Sequence, residues 1–153
     1  MASTDGIREN IVETLQTLLQ SVTTGNGYQQ NIEEVLDYPT HFEDLTALNF
    51  PVASIFMGSE TGEVLLGNSF KDYTLNIGLR CYVEGADEET IRQSANMIVE
   101  DINKLIFNNI TLGISEVIDT NVLSNDAPFI WLDVGNLGHV DIQLQVMYRR
   151  PLV

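Results

Sequence analysis

Histidine and cysteine, the side chains that most often bind metals or act as nucleophiles, are scarce in this 153-residue chain. His41 and His139 are its only histidines, and no HxH, HExxH or CxxC spacing accompanies them, so the sequence does not predict a metal site. Cys81 is the single cysteine and cannot form an internal disulfide. It occupies an apolar position of a strand pattern, and we expect a buried, inert thiol in a reducing cytosol. No GxSxG signature marks a nucleophilic serine.

Carboxylates are abundant, but their spacing does not indicate an acid/base pair. Neighbouring residues on a helix diverge by about 100°, so we interpret adjacent acids as solvated faces and helix caps. These pairs are Glu33-Glu34, Glu43-Asp44, Glu88-Glu89 and Glu100-Asp101. Gly58 and Gly62 bracket a segment that lacks the Lys-Ser/Thr of a phosphate loop, and we expect an acidic hairpin loop over Gly58–Glu63. Asp37–Asp44 does not supply the alternating ligands of a calcium loop.

Composition and charge exclude several classes of function. Hydrophobic residues make up 44% of the chain, which argues for one folded domain over residues 1–153. Seven Lys and Arg face 22 Asp and Glu, a formal net charge of −15 without any basic stripe. Specific nucleic-acid binding and binding to anionic membranes are therefore not expected. No apolar run has the length of a spanning helix, and the N-terminus lacks the apolar core of a signal peptide.

Two strands with one apolar and one polar side are the clearest structural signal. Lys71–Val83 is apolar at every second position from Tyr73 to Val83, and Val140–Tyr148 repeats this design. Side chains alternate between the two faces of a sheet, so each strand has one buried and one polar face. Two helices can cover only one face, and we expect the other to meet water or a partner.

The remaining elements complete an α+β fold. Apolar residues at helical spacing predict a first helix from about Thr4 or Asp5 to Ser21, with Ser3, Thr4 or Asp5 as its cap. A second helix begins after the cap Asp87 and carries a stripe from Ile91 to Ile106. We predict a mostly antiparallel, twisted sheet of about four to six strands with two main helices packed on one face. The further strands are Gln29–Leu36, Val52–Met57, Gly113–Leu123 and the short Phe129–Val134.

The order of these segments resembles a known family. The chain contains the successive segments IRENIVETLQTLL, FPVASIFMGSETGE, KDYTLNIGLRCYVEG, DEETIRQSANMIVEDINKLIF and GHVDIQLQVMYRRP. This succession, over roughly Ile7–Arg150, is similar to the tail terminator (tail completion) proteins of long-tailed bacteriophages. The strand that ends in Tyr148-Arg149-Arg150 is its most characteristic part.

The resemblance implies a structural virion protein that is made in the host cytoplasm. Such a subunit closes into a homo-oligomeric ring, usually a hexamer, at the head-proximal end of the tail. The ring ends polymerisation of the tail tube protein and offers a docking surface to a head-side neck or connector protein. Sheath or tape-measure proteins are further partners, and genomic DNA passes without specific binding. The resemblance implies no enzymatic activity, no cofactor and no membrane contact.

Two sets of residues are candidates for these contacts. Glu60 and Glu63, on the expected loop, would line the lumen or meet the adjacent ring, where an acidic wall avoids sticking to phosphates. Plain solubility explains an acidic surface equally well. Subunit contacts would use Asp72, Thr74, Asn76 and Arg80 of the long strand, with Arg149 and Arg150 of the final strand as ion-pair partners for a neighbour's carboxylates. Arginines at a strand end also keep an edge soluble without any partner.

Two alternatives stay open. The first is another neck component, a head–tail connector or stopper. The second is a cytosolic ligand-binding or enzymatic α+β domain that uses a cleft near Trp131, where Pro128 and Phe129 complete an aromatic platform. A core or interface plug is the simpler explanation of these aromatics. A ligand-binding domain predicts a pocket with converging polar groups, whereas a terminator predicts a self-complementary oligomer surface.

Overall fold

A six-stranded sheet is the main feature of the computed structural model, which describes residues 6–38, 48–64, 70–131 and 136–151. Its strand order is β1-β2-β3-β6-β4, and β5 also pairs with β6. All the pairings are antiparallel except that of β1 with β2. The elements are α1 (Ile7–Gln20), β1 (Glu34–Leu36), β2 (Val52–Val64), β3 (Phe70–Glu84), α2 (Glu88–Phe107), β4 (Val117–Asn125), β5 (Phe129–Trp131) and β6 (Leu137–Pro151). The predicted α+β class is confirmed, and neither described helix is long and apolar enough to cross a membrane.

The ladder between β3 and β6 forms the centre of the sheet. It runs without a register shift from the pair Phe70↔Pro151 to the pair Glu84↔Leu137. The alternation read from the sequence is confirmed, because one side of both strands is buried. The buried residues on this side include Leu75, Ile77, Leu79, Cys81, Val83, Val140, Ile142, Leu144, Val146 and Tyr148. Each large apolar side chain among them contributes about 1.5–3 kcal/mol by leaving water.

Both helices contribute to the core that contains this side of the ladder. Ile11, Leu15 and Leu19 of α1 belong to the same cluster of buried residues as the stripe of α2. The predicted members of that stripe are all buried, namely Ile91, Ala95, Ile98, Ile102, Leu105 and Ile106. The predicted cap is confirmed as well, because the Asp87 carboxylate accepts the Thr90 N–H at 2.8 Å. The caps predicted for α1 lie outside the described residues, and α1 begins after Gly6.

The second strand is longer than predicted. The expected loop Gly58–Glu63 is wrong, since β2 continues to Val64 and pairs with β3 beyond a bulge between Met57 and Glu60. The glycines and glutamates of this segment are typical of a turn, but its backbone pairs with β3 and continues the strand. At the bulge the chains approach closely, and a Cβ added to Gly58 would lie 2.6 Å from the Asn76 carbonyl oxygen.

Two other boundaries also differ from the sequence predictions. β1 is shorter than Gln29–Leu36 because Gln29 and Gln30 instead bind Asp101 through their N–H groups. The fourth strand begins at Val117 and not at Gly113, because Leu112 and Gly113 form a turn with φ of 55° and 69°. Residues 132–134 of the predicted strand Phe129–Val134 lie outside the described residues.

A buried carboxylate joins α2 to the segment after α1. Asp101 is 2% exposed, so its interpretation as part of a solvated acidic pair is wrong. Its oxygens accept the Gln29 N–H at 2.9 and 3.1 Å and the Gln30 N–H at 2.8 Å. The adjacent Glu100 remains exposed. These bonds give acceptors to the N–H groups of Gln29 and Gln30, which lie before β1 and are not paired with another strand.

We expect Asp101→Ala to lower the free energy of unfolding by about 2–3 kcal/mol, because it removes a buried carboxylate that accepts hydrogen bonds from two partly buried backbone N–H groups. Chemical denaturation measures this change. Glu100→Ala is the control, since it removes a neighbouring exposed carboxylate and should cost under about 0.5 kcal/mol. Equal effects of the two substitutions would contradict the role of Asp101.

Candidate functional site

The predicted subunit-contact residues lie mainly on the outer face, which we define as the side of β2, β3 and β6 that points away from the core. Asp72, Thr74, Asn76 and Arg80 are all partly exposed there. One end of the outer face is covered, because Tyr82 is buried with Val52 and Leu137 in a second small cluster. The rest is mostly polar, and its central strand positions include Gln143 and Gln145 of β6.

Arg80 is bound within the chain. Its Nε and a terminal nitrogen donate to the two Asp141 oxygens at 2.7 and 3.0 Å, across the β3–β6 ladder. The Phe56 ring lies 5.6 Å from the guanidinium carbon. The hydrogen bond to Asp141 raises the pKa of Arg80 against the opposing effect of burial. A bidentate pair with a ring beside it fixes this side chain on the surface.

Arg149 forms the matching pair at the other end of the ladder. Its Nε and a terminal nitrogen donate to the Asp72 carboxylate at 2.7 and 3.1 Å, and the Phe70 ring lies 5.6 Å away. This hydrogen bond lowers the pKa of Asp72. From the sequence, Arg80 and Arg149 were predicted to contact an adjacent subunit. In the described chain, an acid directly across the ladder already neutralises each of them.

Arg150 lies on the opposite side from Arg149, because neighbouring residues of a strand alternate in direction. Its ladder partner is Lys71, and both belong to the side of the sheet that contains Tyr73 and Tyr148. Arg150 lines a cavity of about 250 Å³ beside the start of α1. The six predicted contact residues are therefore divided between two faces.

Glu60 and Glu63 are also separated. Glu60 pairs with Leu75 on the core side, where its carboxylate accepts the Tyr148 O–H at 2.6 Å and lies 3.8 Å from Arg8 Nε. Burial and this hydrogen bond raise the pKa of Tyr148. Glu63 pairs with Asp72 on the outer face and is exposed. Only Glu63 keeps the solvent access that the lumen hypothesis requires.

The contacts of Tyr73 and Tyr148 were not predicted from the sequence. The Tyr73 and Tyr148 rings stack with centroids 5.0 Å apart, and the Lys71 ammonium lies 5.1 Å from the Tyr73 centroid. The available signal was the position of two tyrosines at the ends of otherwise aliphatic patterns. A tyrosine there buries its ring and needs a hydrogen-bond partner for its hydroxyl.

Histidine, cysteine and carboxylate side chains do not cluster as metal ligands in the part of the chain that the structure describes. Within those ranges no cluster of three or more His, Cys, Asp or Glu could hold a metal ion. Cys81 is buried, which raises the pKa of its thiol to about 12, so the expected buried thiol is confirmed. The His139 ring stacks on Phe129 at 5.6 Å, and burial, followed by Arg80, lowers its pKa. His41 lies outside the described residues.

The aromatic platform expected near Trp131 is only partly described. β5 places Phe129 opposite His139 and Trp131 opposite Leu137 on β6. Phe129 is 54% exposed although its ring contacts His139. This arrangement gives an exposed aromatic edge beside the polar outer face.

Comparison with known proteins adds one match. A family model described as Bacteriophage Tail Tube Terminator Protein matches residues 1–127, which include both helices and β1 to β4. No curated protein matches the chain.

The pair between Arg149 and Asp72 predicts a pH dependence of stability. Asp72 has a pKa below its ordinary value of 3.8 in the folded chain, so its contribution is complete above that value and is lost as the pH falls through the folded pKa. Asp72→Asn should therefore be less stable than the unmodified protein at pH 7. The difference should shrink progressively below pH 3.8.

Denaturant titrations of both proteins at several pH values measure this difference. Thr74→Val is a suitable control on the same face, since its effect should not vary with pH. A constant difference between Asp72→Asn and the unmodified protein from pH 7 to pH 3 would contradict the ion-pair interpretation.

Proposed function

The chain belongs to the family of bacteriophage tail tube terminator proteins, and on that premise we propose that six copies close into a ring at the head-proximal end of the tail tube. The ring ends polymerisation of the tube protein and provides the surface on which the head docks. The protein acts through protein–protein contacts, without catalysis or a cofactor. The match of the family model to residues 1–127 carries this proposal.

The outer face supports a role in subunit contacts. It combines two internally neutralised ion pairs with uncharged polar residues such as Thr74 and Asn76. A surface of this kind can be covered by a neighbour without leaving an unpaired charge buried. We therefore propose that Asp72, Thr74, Asn76, Arg80 and Arg149 contact the adjacent subunit with their ion pairs intact.

The partners follow from this position. They are other copies of the chain, the tail tube protein and a head-side neck or connector protein, with a sheath or tape-measure protein at the periphery. Genomic DNA crosses the lumen without specific binding. The net charge of −15 suits such passage, because a wall of like charge does not hold phosphates.

Another neck component remains the second candidate function. A connector or stopper would also be a small acidic ring subunit, but it would contact head proteins on one side and the terminator on the other. The position of the ring in a purified neck distinguishes the two. A cytosolic ligand-binding domain has weaker support, because the matching family model describes a tail tube terminator protein.

Deletion of the gene tests the proposal directly. We expect overlong or headless tails by electron microscopy, because tube growth lacks a stop and the head lacks its docking surface. Labelled protein should appear as one ring at the head-proximal end. Complementation with the unmodified gene is the control. Tails of normal length that join heads after deletion would contradict the proposal.

Glu63→Lys tests the lumen assignment separately. A cation on the wall would attract DNA phosphates, so we expect slower DNA ejection or impaired assembly. Glu60 is unsuitable for this test because its carboxylate is bound to Tyr148. Glu9→Lys on α1 makes the same charge change at an exposed position outside the sheet. Unchanged ejection by Glu63→Lys would exclude Glu63 from the channel wall.

A further inference from the structure

Three of the seven cations of this acidic chain gather on the core side at one end of the sheet, where Arg149 points to the outer face and is paired with Asp72. Lys71 and Arg150 are direct partners on the β3–β6 ladder and lie on the same side of it. Arg8 lies beside them, since its guanidinium and Arg150 line the same cavity of about 250 Å³. Like charges placed directly opposite each other on a ladder are destabilising unless an anion offsets them. We call this group the cationic end.

The acids that line the two cavities at the cationic end accept hydrogen bonds within the chain. Glu60 accepts the Tyr148 hydroxyl and lies 3.8 Å from Arg8. Glu116, which lines a neighbouring cavity with Arg150, accepts the Ser115 hydroxyl at 3.0 Å. Among the described residues, the Arg150 side chain has no hydrogen bond or ion pair. The Lys71 ammonium lies over the face of Tyr73, with its nitrogen 5.1 Å from the ring centroid.

Two stacked tyrosine rings form part of the wall of the cavity. Tyr73 and Tyr148 both line it, and their rings lie nearly parallel at 13°. The stem of Lys71 crosses Gly62, where an added Cβ would lie 2.5 Å from Lys71 Cε. Glycine at this position leaves room for the Lys71 ammonium to lie over the Tyr73 ring. Arg8, Arg150 and the two tyrosine rings thus line the cavity together with Glu60, which is bound to Tyr148, and the Lys71 ammonium lies over Tyr73. The cations of this group suit a carboxylate side chain.

The opposite end of the same strand carries acids. β3 rises for about 50 Å over its fifteen residues and ends at Glu84. Asp87, Glu88 and Glu89 follow at the start of α2, and all four acids are exposed. Asp87 is occupied by its bonds to Thr90, whereas Glu88 and Glu89 extend from the first turn of the helix. Lys71 and Arg150 at one end are therefore complementary in charge to Glu88 and Glu89 at the other.

We propose that the cationic end of one copy binds the Glu88 and Glu89 carboxylates of a second copy. A contact between two different surfaces of the same chain is heterologous, and such contacts generate a closed ring when the rotation between copies closes. This inference rests on the proposed ring and identifies which surfaces meet within it. Charge complementarity selects another copy as the occupant, because the rest of the chain carries far more acids than cations.

Zero-length carbodiimide coupling tests the contact. It joins a lysine amine to a carboxylate in direct contact, and Lys71 and Lys104 are the only lysines in the sequence. An equal mixture of ¹⁴N and ¹⁵N protein distinguishes links between copies from links within one copy. We expect mixed-isotope peptides that join Lys71 to Glu88 or Glu89, both in concentrated protein and in isolated tails that contain the mixture.

Two single substitutions that each remove one cation provide the matched comparison. Arg150→Gln removes a cation from the cavity and should lower the yield of the Lys71 link about fivefold. Lys104→Gln removes an exposed cation of α2 that binds the Gly27 carbonyl outside both proposed surfaces, and it should leave that yield within about twofold. Thermal unfolding of both variants checks that each is folded.

The outcomes distinguish this inference from the proposed function. The proposed contact is wrong if neither preparation gives a link between copies from Lys71 to Glu88 or Glu89. It is also wrong if Lys71 couples to tube protein instead. Equal effects of Arg150→Gln and Lys104→Gln would also overturn it. Overlong tails after gene deletion would still support the terminator function in any of these cases.

Discussion

The uninterrupted ladder between β3 and β6 is the constraint on which the rest of the structure depends. Its fixed register sorts the side chains of two fifteen-residue strands into a buried side and an outer face. The buried side provides the surface on which the apolar stripes of both helices complete one core. The same register places Arg80 opposite Asp141 and Asp72 opposite Arg149. A shift by one residue would expose the core residues and separate both ion pairs.

Polar groups complete the fold at the points where the ladder and helices leave donors unpaired. Asp101 binds the backbone between α1 and β1, and Glu60 binds the hydroxyl of Tyr148 at the edge of the core. Each is a carboxylate in an otherwise apolar setting and is retained by specific donors. The acidic composition therefore has several structural roles. Some carboxylates fix the fold, some neutralise arginines, and the remaining exposed acids give the surface its charge.

The sequence contained enough information for the ladder and the helices but not for the contacts across them. Alternation and helical spacing are local patterns, so the buried sides of β3, β6 and α2 could be predicted directly. The pairing of Arg80 with Asp141 depends on register between strands about sixty residues apart and could not. Burial of Asp101 likewise depends on a distant loop. The opposite directions of Arg149 and Arg150 followed from alternation, but the sequence analysis grouped them because both are arginines.

The bulge in β2 has a consequence for how this strand can vary in length. Even-numbered residues such as Ser54 and Phe56 face outward before it, whereas odd-numbered residues such as Thr61 and Glu63 face outward after it. Three steps along β2 from Met57 to Glu60 match two steps along β3. The bulge is thus the place where the strand can lose a residue and become regular without turning either half over. A one-residue deletion elsewhere in β2 would move the side chains between the deletion and the bulge to the opposite face of the sheet. Related chains should therefore concentrate their length differences in this strand at Gly58 and Ser59.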